Sequence, residues 1–168
     1  RSIIEDAIEE LHTNQLRSDG LSGVRSGYTS VDRVTLGWQP SDLVILAARP
    51  SMGKTAFVLT MARNMSVEHQ IPVAFFSLEM SSLQLVKRLM ISETGLSSDK
   101  IKGGKKLEEY EWTQINTRLT QLIKAPLYID DTPSLSIYEF RSKARRLVSN
   151  AGVKAIIIDY LQLMSGPP

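Results

Sequence analysis

Leu43-Val44-Ile45-Leu46-Ala47-Ala48-Arg49-Pro50-Ser51-Met52-Gly53-Lys54-Thr55 is the stretch around which the rest of the chain is read. An apolar run leads directly into Gly-Lys-Thr, which predicts a buried strand feeding a phosphate-binding loop. The template for such a loop is glycine, four free positions, then Gly-Lys-[Ser/Thr]; Ala48 stands where the first glycine is usual, and Gly53, Lys54 and Thr55 match. Gly53 has no Cβ, so the backbone can turn and let amide N–H groups close on phosphate oxygens. Lys54 carries a mobile point charge for the outer phosphates, and Thr55 offers a hydroxyl to a magnesium ion. Both open a predicted helix, Ala56 to Met65, whose unpaired N–H groups and positive dipole end also favour an anion.

Composition sets the frame. The chain has 168 residues, 42% hydrophobic and 23% charged, which suits one domain with a real core and an appendage. No apolar run approaches the ~18 residues of a membrane helix, so no membrane partner is expected. The chain has no cysteine, which excludes disulfides and thiolate metal sites, and no secretory pattern opens it; the expectation is a cytoplasmic protein. A formal charge of +2 argues neither for nor against nucleic acid.

Outward from the loop, residues 1–16 place Ile3, Ile4, Ala7, Ile8 and Leu11 on one stripe opposite Glu5, Asp6, Glu9 and Glu10, with Ser2 and Glu5 in capping-box spacing. This is a short amphipathic helix, free to fold back on its own domain or to dock on a neighbouring subunit. Residues 17–29, with Gly20, Gly23 and Gly27, read as a flexible connector. Residues 30–168 form the main domain. Val73 to Leu78, Leu127 to Ile129 and Ala155 to Ile158 are apolar strands, separated by helices. Ser81 with Gln84 and Ser136 with Glu139 are capping boxes, the second flanked by a Leu135–Phe140 staple. Gly95 to Lys106 reads as a loop with at most one short helix. The alternation predicts an open α/β fold, a mostly parallel sheet with helices on both faces and ligands beyond the carboxyl ends of the strands.

That topology brings Thr55, Glu79, Asp130, Asp131 and Asp159 to one edge. A magnesium nucleotide needs an acid near the ion, and hydrolysis needs a group to orient or deprotonate water. Asp159, at the tip of an isoleucine-rich strand, has the form of the Walker-B acid. Glu79 and Asp130 both qualify as the base, and Asp130 or Asp131 could equally be holding the following turn. Gln162 could sense a terminal phosphate or be an ordinary polar loop residue. Lys100, Lys102, Lys105 and Lys106 read as a solvated loop in preference to a DNA contact, and Arg141, Lys143, Arg145 and Arg146 as the outward face of a helix. His12 and His69 have no metal spacing.

Three stretches, Ala48 to Thr55, Phe76-Ser77-Leu78-Glu79-Met80-Ser81 and Ile158-Asp159-Tyr160-Leu161-Gln162-Leu163-Met164, resemble motifs of the DnaB-type replicative DNA helicases. The resemblance runs over nearly the whole chain and implies a RecA-like P-loop ATPase using ATP and Mg²⁺. It makes Arg49, Pro50, Ser51, Met52, Gly53, Lys54, Thr55 and Asp159 the nucleotide-binding set, with Thr55 and Asp159 toward the metal. Glu79 becomes the catalytic base, Lys54 a phosphate contact in catalysis and Gln162 the phosphate sensor. It further implies a homohexamer around single-stranded DNA, joined through the linker helix of residues 1–16, with primase and a helicase loader as partners. The family's DNA-binding loops and arginine finger correspond to sequence beyond Pro168, so weak, DNA-independent turnover is expected of these residues alone. A recombination or repair ATPase is the alternative within the class. The alternative outside it is an assembly module that binds nucleotide without turning it over.

Overall fold

The structure is a computed structural model that describes residues 2–166. Arg1, the first residue of the expected linker helix, and Pro167 and Pro168, the last two of the expected ATPase domain, lie outside the described residues. Strands β1 (Val73–Ser77), β2 (Leu127–Asp130) and β3 (Ala155–Asp159) form a parallel sheet in the order β2-β1-β3. All five residues of β1 are buried, as expected of a central strand with apolar side chains on both faces.

The side chains of the sheet divide between two cores. Val73, Phe75 and Ile157 pack with Val58, Leu59, Ala62, Leu85 and Leu89, which come from α3 (Lys54–Arg63) and α4 (Ser82–Thr94). Ala74 and Phe76 face the other way, against Leu135, Phe140, Leu147 and Val153 around α7 (Ile137–Ala151). Phe76 and Phe140 meet edge to face at 5.0 Å, and Leu135 is buried in the same cluster, so the staple at the start of α7 is present. Capping boxes form at Ser81–Gln84 and Ser136–Glu139 as their spacing predicts. A short helix, α5 (Ser98–Ile101), interrupts the lysine-rich loop, and α6 (Glu109–Lys124) follows. Lys100 leaves that loop to pair with the buried Glu111 on α6.

Two expectations are corrected. Leu43 to Ala48 has no regular secondary structure and joins no sheet among the described residues, and its side chains are open, Leu43 at 88% and Ile45 at 78%. Periodicity registers an apolar strand whether or not a neighbour offers ladder groups; among the described residues none pairs with this run. Residues 17–29, expected to be flexible, are packed. Leu21, Gly23 and Ser26 are buried, Val24 bridges Trp38, and Ser26 N–H donates to Asp32 on α2 (Thr29–Thr35) at 2.8 Å. Gly27 shows why glycine stands there: at φ +83° a Cβ would come within 2.5 Å of Asn64 Cβ. Its carbonyl accepts from Asn64 Nδ2 at 3.1 Å, while Tyr28 stacks on Phe57 at 4.6 Å and donates to its carbonyl. Gly27 permits close approach to Asn64 at the end of α3, and Gly23 close approach to the Trp38 backbone.

The helix α1 (Ile3–Leu16) begins with the expected Ser2–Glu5 capping box and buries no residue. Its stripe of Ile3, Ile4, Ile8 and Leu11 is exposed, so it does not fold back onto the domain.

Candidate nucleotide site

The site is built where α3 begins opposite the tip of β3. Gly53, at φ +83°, is the N-cap residue of α3 and uses no side chain to cap it, so the first amides of the helix are left for an external acceptor. A Cβ on Gly53 would meet nothing within 4 Å, which makes the left-handed backbone, and not crowding, the reason for glycine here. Ser51 is also left-handed at φ +61°, and Met52 N–H closes a turn on the Arg49 carbonyl at 3.3 Å. Arg49, Pro50, Ser51, Met52 and Gly53 form an exposed loop.

Although the run before the loop is unpaired, the loop is held from its far side. Val58, Leu59 and Ala62 sink α3 into the core, and Arg63 at its end pairs with Glu93 of α4 and with Glu68. A π-helical turn, Asn64–Glu68, continues from it. This registration sets Thr55 against Asp159 across the sheet, with Thr55 Oγ1 donating to Asp159 Oδ2 at 2.7 Å. Lys54 Nζ lies 3.3 Å from Asp159 Oδ1 and 3.9 Å from the centroid of the Tyr160 ring. The Asp159–Tyr160 peptide is cis.

Asp159 is 2% exposed, and its Oδ1 is buried without accepting a hydrogen bond among the described residues. A buried carboxylate oxygen with spare lone pairs, beside a threonine hydroxyl, is a donor set suited to a hard cation such as Mg²⁺. The residues present therefore fit the metal, in company with phosphate oxygens, since the described residues contain no cluster of three His, Cys, Asp or Glu side chains that would hold one alone.

The other predicted residues separate. Glu79 follows β1, whose neighbour Leu78 donates its N–H to the Asp159 carbonyl at 2.8 Å, so the turn carrying Glu79 is fastened to the Asp159 strand. Ser77 Oγ accepts from Met80 N–H and donates to the Met80 carbonyl, which closes that turn and leaves Glu79 exposed with no hydrogen bond or ion pair among the described residues. Asp130 is engaged: its carboxylate accepts from Lys143 Nζ at 2.7 Å and from Thr132 N–H at 3.0 Å. Burial pushes the Asp130 carboxyl up, but Lys143 and Thr132 together outweigh it and hold it below the usual aspartate value. Asp131 accepts from the N–H of Ser82 at the start of α4 at 2.6 Å, which lowers its carboxyl as well. Gln162 lies exposed in a 3-10 turn, Leu161–Leu163, with no hydrogen-bond partner among the described residues. Sequence reasoning missed the contact of Tyr160 with Lys54, because no local pattern joins residues so far apart in the chain.

A family model described as DnaB-like helicase C terminal domain matches residues 23–168. The chain is 44% identical over 161 residues to the replicative DNA helicase DnaB of Geobacillus stearothermophilus and 42% identical to the replicative DNA helicase DnaC of Bacillus subtilis. Each alignment takes in 96% of this chain and 35% of the relative, so the chain spans about a third of the length of these relatives. Among solved structures, the ATPase domain of G40P superposes with a TM-score of 0.86 at 33% identity, over 98% of this chain and 59% of that one. A DnaB-like replicative helicase, solved in a study of its interactions with primase, superposes at 0.85 with 32% identity, over 99% of this chain and 41% of that one. The parallel sheet, the loop at the start of α3 and the acid at the tip of β3 are thus found in a chain that belongs to the DnaB-like helicase C-terminal domain family.

Proposed function

We propose that these residues are the nucleotide-binding and hydrolysing core of a replicative DNA helicase. The observation that carries the reading is the convergence of Lys54, Thr55 and the buried Asp159 at one point beside the free N-terminus of α3. In this reading the backbone N–H groups around Gly53, Lys54 and Thr55 cradle the phosphates of ATP, and the Lys54 side chain contacts the outer ones. Thr55 and Asp159 would hold Mg²⁺, which would supply charge neutralisation for the phosphates. Glu79 orients and deprotonates the attacking water. Its freedom supports that role over Asp130, whose carboxylate is committed to Lys143 and Thr132. Gln162 reports the terminal phosphate.

The fuller activity goes with the family: ATP-driven movement on single-stranded DNA in a hexameric ring, with primase and a helicase loader as partners, in the cytoplasm. The exposed stripe of α1 supports assembly through a neighbouring subunit. It also favours a second reading, an assembly module that binds nucleotide without turnover. ATPase rate measured against oligomer size, with and without single-stranded DNA, separates the two.

The decisive test pairs two substitutions. Lys54→Ala removes a charge-assisted contact of about 1.5–3 kcal/mol and should weaken Mg-ATP binding roughly 10- to 100-fold with the fold intact. Glu79→Gln should retain binding and lose hydrolysis, because the amide keeps the shape and cannot take a proton. Unchanged affinity in Lys54→Ala would refute the loop assignment. Loss of hydrolysis in Asp130→Asn, with Glu79→Gln active, would move the base to Asp130.

A further inference from the structure

We infer that Tyr160 is a positioning residue that, with Asp159, seats the Lys54 ammonium, so that nucleotide phosphates compete with an aromatic face for the lysine. This rests on the nucleotide reading above and concerns a residue to which that reading gives no role.

Three observations carry it. Lys54 Nζ sits 3.9 Å from the Tyr160 ring centroid, well inside the ~6 Å within which a cation is attracted to a ring face. The same ammonium is 3.3 Å from Asp159 Oδ1, an oxygen that accepts no hydrogen bond from any described residue. The other oxygen of Asp159 is taken by Thr55 Oγ1 at 2.7 Å. The phosphate-binding cation is therefore ion-paired with the acid of the metal-binding pair, whose other oxygen is held by Thr55. Tyr160 is half-buried beside them, which lowers local screening and strengthens the seat.

The ring face and a phosphate draw on the same ammonium, so they compete for it. Removing the ring face removes part of that competition. A cation–ring contact at a partly exposed site corresponds to about a two- to fivefold effect on an equilibrium. Nucleotide affinity should therefore rise, the opposite of what loss of a ligand-contacting or merely structural side chain would do.

The test titrates Mg-ADP calorimetrically into the 168-residue chain carrying Tyr160, Tyr160→Phe or Tyr160→Leu, with melting temperatures recorded for each. We expect Tyr160→Leu to bind Mg-ADP about two- to fivefold more tightly and Tyr160→Phe, which keeps the ring face, to match the unsubstituted chain. A second readout is the proton resonance of the Lys54 ε-methylene, shielded by the ring in the nucleotide-free protein. That shielding should disappear in Tyr160→Leu, and in the unsubstituted chain on adding Mg-ADP. Equal or weaker binding by Tyr160→Leu overturns the inference while leaving the nucleotide site standing, and so does an ε-methylene signal that ignores both the substitution and the nucleotide. If Tyr160→Leu fails to fold, the signal of the unsubstituted chain with and without Mg-ADP still decides. Failure of the unsubstituted chain to bind Mg-ADP overturns the nucleotide reading itself and this inference with it.

Discussion

Asp130 and Glu79 leave the same edge of the sheet in opposite states of engagement. Asp130 is held in its charged form by Lys143 and Thr132, against the pull of burial. A carboxyl whose folded value lies below its unfolded value stabilises the fold above the unfolded value and loses that contribution as pH falls through the folded one. The unfolded reference is 3.8, so the contribution is complete at neutral pH and fades in acid below about pH 4. Urea unfolding of Asp130→Asn should show a lower midpoint than the unsubstituted chain at pH 7 and a shallower decline below pH 4. A parallel decline for both proteins would mean that Asp130 contributes nothing to acid stability. Lys54, Thr55 and Asp159 were legible at this scale because local motifs name them. The engagement of Asp130, like the contact between Tyr160 and Lys54, depends on side chains from distant elements, and no short-range pattern encodes it.

Among the elements, α1 and the segment of residues 17–29 exchange the characters that their sequences suggest. The glycine-rich segment is packed onto α3, whereas the helix buries nothing. Composition reads glycine as freedom, yet the same residue is required wherever two backbones approach closely. Gly27→Ala forces a Cβ to within 2.5 Å of Asn64 at a left-handed φ and should cost about 1–3 kcal/mol in denaturant stability. A cost near zero would show that the segment yields easily. For α1 the expectation is the reverse: the double change Ile4→Glu and Ile8→Glu should leave the melting temperature within about 1–2 °C, since no buried contact is lost, and should reduce self-association in sedimentation velocity. A marked fall in melting temperature without a change in association would place the helix on its own domain. Helix positions and caps were well anticipated, as capping boxes are local chemistry. The run from Leu43 to Ala48 was not, because a strand is completed by a neighbour and not by its own residues.

For the molecule as a whole, the α/β class and the shared site edge followed from apolar strands alternating with helices, while the order β2-β1-β3 was beyond reach, since pairing among short apolar runs carries no address. Native-state hydrogen exchange gives the arrangement a direct readout. Amides of Val73 to Ser77, buried and flanked on both sides, should exchange last, and those of Leu43 to Ala48 among the first. Comparable protection in the two stretches would indicate that the apolar run is covered in solution.

The central place of β1 also governs the order of assembly. Val73 pairs with Leu127 on one side and with Ala155 on the other, so the sheet cannot begin to form from chain neighbours. Each ladder must first close a long loop, and the entropy of closure comes before any hydrogen bond can offset it. Folding should therefore be slow for a chain of this size, with helices present early and the sheet arriving late. During that interval Phe75 and Phe76, side by side on β1 and destined for opposite cores, remain uncovered together. A nascent chain in this state is most exposed to aggregation until α3 and α4 have covered Phe75 and α7 has covered Phe76.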